Sequence, residues 1–152
     1  MSDSSVDAPV VERVLVGLDG SEESRIAGEW ALMIARETGA ELIAFHAVGL
    51  LDVWPDGDGP APAESHAHVR QQLTDWAQPL RDRGADVREA LADGPPTDTM
   101  LRYATSVDAH LIVVGSRGLG DTPIGALGST SSHLVQSATV PVLVVPHAAI
   151  RR

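Results

Sequence analysis

Short apolar runs alternate along this chain with stretches of helical periodicity, and that alternation restricts the fold more than any other feature. Val14 to Leu18 is rich in β-branched residues and leaves into a turn at Asp19 and Gly20, as a strand would. Ser21 is placed to cap a following helix, with Glu22 and Glu23 in its first turn and Gly39 at its end. Ile26, Trp30, Met33 and Ile34 supply that helix with an apolar face. Glu41 to Val48 (ELIAFHAV) is nearly continuous in apolar character, which fits a strand buried on both faces. Asp52 to Pro62 concentrates Asp, Gly and Pro and reads as a connection. Val69, Leu73, Trp76, Ala77 and Leu80 then recur at helical spacing up to Gly84, with Pro79 expected to kink or weaken the last turn.

Asp86 to Leu91 is a third strand candidate, and Pro95, Pro96 and Thr97 set up a helix carrying Met100, Leu101 and Ala104. Leu111 to Val114 is the fourth strand. It breaks into a glycine-rich stretch that resolves near Gly128 into a helix reading SSHLVQSA, and Val140 to Val145 is the last strand. Right-handed crossovers then call for a doubly wound α/β fold: a five-stranded parallel sheet with helices on both faces, expected in the order 3-2-1-4-5. In such a sheet ligands sit beyond the carboxyl ends of the strands where the order reverses, so the turn carrying Asp19 and the glycine-rich loop share a crevice.

With 152 residues and 43% apolar content, one hydrophobic core suffices. The expected division is an acidic leader over residues 1–12, one folded domain over 13–147 and a tail over 148–152. The leader has none of the basic and apolar character of a signal peptide, and no run of apolar residues is long enough to span a bilayer, so the expectation is a cytoplasmic protein without a membrane partner. Cysteine is absent, which excludes disulfides, thiolate metal sites and cysteine nucleophiles. Lysine is absent too, all eleven basic residues being arginine, so a phosphate site has only backbone amides, hydroxyls and arginine to draw on. A formal charge of −10 argues against nucleic acid as a partner. The six histidines form no i, i+4 metal-binding pair and read as structural or surface residues. Trp30 and Trp76 fall at helical positions and read as core, whereas Trp54 in the connection could pack on the sheet edge or cover a ligand.

The loop from Gly115 to Ser131 follows a strand and opens a helix. Glycines there let backbone approach a ligand closely and take positive φ, while the first amides of the following helix lack an intrahelical acceptor and point at an anion. Ser129, Thr130 and Ser131 add hydroxyls, and Arg117 is placed to act as a cationic fork. Asp121 in the same loop would repel phosphate unless turned to solvent or to a metal. Asp19 reads either as a turn residue or, beside this loop, as a ligand contact.

The spacing of Gly115, Gly118, Gly128 and Ser129 (a glycine, two residues, a glycine, nine residues, Gly-Ser) resembles the nucleotide-binding pattern of ATP-binding universal stress proteins. The likeness extends to VLVGLDGS at residues 14–21 and TVPVLVVP at 139–146, and so spans nearly the whole chain. Gly17 stands where some members of that family have proline. The resemblance implies ATP, with Mg2+ bridging its phosphates, as the cofactor. It places Asp19 near the ribose, Ala47 beside adenine through its backbone, and Val114 against sugar or base. Gly128, Ser129, Thr130 and Ser131 would hold the terminal phosphates, with Gly17, Gly115, Arg117 and Gly118 completing the site. It also implies a homodimer paired through the Val140 to Val145 edge strand, and a nucleotide-dependent stress or signalling role with an unknown protein partner. No general base stands beside an activated nucleophile, so hydrolysis is expected to be slow at most. Two alternatives remain open at this level: a module for another adenine nucleotide such as cyclic AMP, and a nucleotidyl-transfer or hydrolase enzyme on the same scaffold.

Overall fold

The computed structural model describes residues 8–48, 62–117 and 127–150. Strand β1 (Arg13–Gly17) leads through a short turn to helix α1 (Glu22–Thr38), and β2 (Glu41–Val48) precedes α2 (Pro62–Asp82). The chain continues through β3 (Val87–Asp93), α3 (Pro96–Ser106), β4 (Leu111–Gly115), α4 (Ser129–Ser137) and β5 (Val142–Val145), and closes with a 3-10 turn (His147–Ile150). All five strands are parallel and lie in the order β3-β2-β1-β4-β5, the doubly wound arrangement that the alternation predicts.

Two apolar layers sandwich the sheet because successive strand residues face opposite sides. Val14, Val16, Leu42, Ala44 and Val113 point to the layer made with α1 and α2, whereas Leu15, Ile43, Phe45, Ile112 and Val114 point to the layer containing Met100, Ala104 and Leu134. Val14, Leu15, Val16, Ile43, Phe45 and Ile112 are fully buried, which explains why the central strands read as continuous apolar runs.

Helix α1 begins where its sequence signals place it. The Ser21 hydroxyl accepts from the Ser24 amide (3.1 Å), and Gly39 ends the helix at φ 72°. Its buried face, however, is Ile26, Ala27, Ala31, Leu32 and Ala35. Trp30 and Met33, expected in the core, are 38% and 46% exposed and line a shallow surface groove with Arg25, Arg36 and Arg83. Small alanines allow close packing on the sheet and displace the bulky residues to the rim of the helix face. Trp76, by contrast, packs against the core and meets His46 edge-on with ring centres 5.2 Å apart.

Helix α2 runs through Pro79 to Asp82, with Leu80 buried beyond the proline and Gly84 at φ 86° beyond the helix end. The Arg81 guanidinium, bonded to the Val87 carbonyl (2.8 Å) and Glu89 (2.5 Å), ties that last turn to β3. Strand β3 extends to Asp93, further than its apolar pattern implied, because every residue from Val87 to Asp93 is in register with β2. Strand β5 begins at Val142, after Val140 and Pro141, and Pro141 contributes only its carbonyl, to the Ile112 amide (3.0 Å).

Candidate functional site

Between β1 and β4 the crossovers depart in opposite directions, and a cavity of about 260 Å³ opens at the carboxyl ends of the strands. Gly17 and Asp19 line it from the end of β1, Ala47 from β2, and Val114, Gly115 and Arg117 from β4. Gly128, Ser129, Thr130 and Ser131 line it from the start of α4. Gly118, Asp121 and Trp54 lie outside the described residues.

At Asp19 the turn reading holds, and the residue also lines the cavity. Asp19 Oδ1 accepts the Ser21 amide (2.9 Å) and the Ser21 hydroxyl (2.5 Å), while the Asp19 amide donates to Ser24 Oγ (3.2 Å). The turn that starts α1 therefore fixes the carboxylate at the cavity wall. Gly20, at φ 84°, brings backbone under the Trp76 ring, where a Cβ would come within 2.9 Å.

Neither loop glycine that the structure describes uses left-handed backbone, and Gly115 acts by its size. Positive φ among described glycines occurs at Gly20, Gly39, Gly84 and Gly94 only. At Gly115 a Cβ would stand 2.7 Å from the carbonyl carbon and Cβ of Glu23, so the absent side chain lets β4 close on the first turn of α1. Gly128 takes φ −67° and ψ 163° as the N-cap of α4, and its amide donates to the Ser116 carbonyl (2.7 Å).

Helix α4 receives no side-chain cap, and its first helical bond runs from the Ser132 amide to the Gly128 carbonyl (3.0 Å). The amides of Ser129, Thr130 and Ser131 precede that bond and have no intrahelical acceptor, at the positive end of the helix dipole. The hydroxyls are not equivalent. Ser131 is 3% exposed and its Oγ donates to the Gly115 carbonyl (2.6 Å), tying β4 to α4 instead of facing a ligand. Ser129 is exposed and Thr130 half-buried.

Arg117 lines the cavity, but its guanidinium is engaged: Nη2 donates to Glu23 Oε1 at 2.7 Å, and His147 Nδ1 lies 3.0 Å from the same oxygen. Burial alone would raise the Glu23 carboxyl; its own backbone amide, the charge of Arg117 and the hydrogen bonds from His147 and Arg117 together hold it below its ordinary 4.5.

Residues not assigned to the site from the sequence complete the cavity: Leu18, Ser24, Phe45, His46, Pro96 and Met100. Met100 and Val114 approach Gly17, where a Cβ would meet Met100 Cε at 2.7 Å. Since the Leu18 carbonyl can only accept, His46 donates through Nδ1 to it (2.8 Å). His46 follows Phe45 on a strand already assigned as core, and Met100 sits on a helical apolar face, so no local pattern distinguishes them from packing residues. Among the described residues no group of three or more His, Asp or Glu side chains is arranged to hold a metal.

The sequence matches the model of the universal stress protein family over residues 11–146. It is 35% identical over 145 residues to a universal stress protein of Mycobacterium tuberculosis, covering 93% of this chain and 48% of that protein. To one from Mycolicibacterium smegmatis it is 37% identical over 139 residues, covering 87% of this chain and 45% of the relative. The chain thus spans about half the length of the curated relatives it matches. Among solved structures, universal stress protein UspA from Lactobacillus plantarum superposes with a TM-score of 0.72 at 25% identity, over 91% of this chain and 99% of that one. A universal stress protein in complex with cAMP superposes with a TM-score of 0.65 at 31% identity, over 91% and 99%.

Proposed function

Because the chain belongs to the universal stress protein family, we propose that it binds ATP with Mg2+ in the cavity between β1 and β4 and acts as a nucleotide-dependent switch in stress response or signalling. The observation that carries this reading is the uncapped start of α4, whose Ser129, Thr130 and Ser131 amides line the same cavity as the apolar Val114, Met100 and Pro96. An apolar wall at one part of the cavity and amides without an intrahelical acceptor at another suit a ligand that pairs a flat heterocycle with phosphates. In this reading Asp19 takes a ribose hydroxyl, the backbone of Ala47 meets adenine, and Gly17 and Gly115 complete the lining, all of them cavity residues; Gly118, which the same reading includes, lies outside the described residues. Mg2+ would be held by phosphate oxygens and water, which satisfies its octahedral demand without a protein cage. Positioned groups for rapid hydrolysis are missing from the described cavity lining, so turnover is slow and the bound state carries the signal.

The solved relative in complex with cAMP favours a second reading, a site for a cyclic adenine nucleotide. Calorimetry with ATP, ADP and cyclic AMP, each with and without magnesium, separates the two. The first reading expects Mg-ATP to bind most tightly; tighter binding of cyclic AMP selects the second, and heat from none of them rejects both.

The proposal includes a homodimer. Strand β5 is one of the two sheet edges, and Val142, Leu143 and Val144 are only half-buried. Antiparallel pairing of this edge with that of a second copy satisfies its backbone groups by a closed two-fold arrangement.

A further inference from the structure

We infer that Glu23 is a positioning residue that withholds Arg117 from the ligand, so that the cavity reads a nucleotide's phosphates through backbone amides and not through a free cation. The inference rests on the adenine-nucleotide reading of the cavity. Its basis is the cluster behind the cavity wall, where Arg117 and Glu23 form an ion pair with side chains only 18% and 10% exposed.

Three features hold the pair in place. Glu23 stands in the first turn of α1, where the helix dipole favours a carboxylate. His147, from the 3-10 turn after β5, lies 3.0 Å from the same oxygen as Arg117 and adds a second contact to the carboxylate. Gly115 has no side chain to separate β4 from α1, so the backbone that carries Arg117 lies directly against Glu23.

The consequence follows from the charges. Arg117 is the sole lysine or arginine among the described residues lining the cavity, and it arrives with a carboxylate on Nη2. In surroundings poorly screened by water, a phosphate near the guanidinium also meets the negative charge of Glu23, and Asp19 adds a second. Each further phosphate brings charge that no free cationic side chain of the described lining neutralises, so beyond what the α4 amides contribute, the gain from a triphosphate over a monophosphate comes from a divalent cation. A chain without lysine thus makes its phosphate preference depend on the metal.

The test is calorimetry of the full chain with ATP and AMP, first in EDTA and then in excess magnesium. In EDTA the wild-type protein should prefer ATP over AMP by less than about fivefold, and a larger preference overturns the inference. Glu23→Gln should release Arg117 and raise the ATP-to-AMP ratio in EDTA about tenfold, the size expected of one charge-assisted contact. The double variant Glu23→Gln with Arg117→Gln should lose that gain. A purely structural Glu23 would lower both affinities together, so an unchanged ratio in a folded Glu23→Gln protein also overturns it. Should this variant fail to fold by circular dichroism, the wild-type ratio decides alone. Heat from no adenine nucleotide at all defeats the underlying reading of the cavity, an outcome distinct from binding with the wrong ratio.

Discussion

Gly115 sits where backbone of β4 touches backbone of α1, and no side chain fits there without moving one of them. Gly115→Ala should therefore destabilise the protein by about 1–3 kcal/mol, seen as a lower denaturant midpoint, and should weaken nucleotide binding by shifting α1 away from the cavity. Ser21→Ala removes both the α1 cap and the hydroxyl that holds Asp19, so a loss of about 1 kcal/mol in stability should come with weaker binding. Glu23 contributes to the acid limb of stability. Its carboxyl is depressed in the folded state, so the unfolded chain binds the proton more tightly, and its contribution is present above pH 4.5 and lost as pH falls through the folded value. The stability difference between wild type and Glu23→Gln in urea melts should thus shrink on acidification below that point. At this scale the sequence picked out positions that line the cavity but not what their side chains contact. Arg117 and Glu23 are 94 residues apart, and nothing local announces that the arginine is already paired. Ser131 shares its neighbours' composition, yet its hydroxyl closes on Gly115.

At the scale of elements, order and type were legible because β1, β2, β4 and β5 are apolar runs and turn residues or capping signals punctuate the helices between them. The phase of α1 was not. Counting bulky residues selects Trp30 and Met33, whereas the sheet accepts Ala27, Ala31 and Ala35. Two substitutions test this directly by thermal or urea unfolding. Leu73→Ala, at a fully buried α2 position, should cost about 2–5 kcal/mol. Trp30→Ala should cost less than about 1 kcal/mol despite removing more atoms, because its ring lies on the helix rim. Strand ends were misplaced for a related reason: β3 reaches Asp93 through pairing with β2, a partner that the local pattern of β3 does not contain.

The whole molecule brings together two loops nearly a hundred residues apart by reversing the strand order between β1 and β4. Topology and the location of the cavity followed from the alternation of elements, while its apolar wall did not, since Phe45, His46 and Met100 look like any other packing residues. The open β5 edge leads to the expectation that light scattering at micromolar concentration gives twice the chain mass, and a monomer there removes the edge-pairing proposal. The most direct test of the account is a titration of the 15N-labelled protein with Mg-ATP, followed by amide chemical shifts. The account predicts the largest shifts at Ser129, Thr130 and Ser131, with Ala47 and Asp19 moving alongside. Saturable shifts confined to the α1 groove around Trp30 and Arg36, with the start of α4 unmoved, would contradict it.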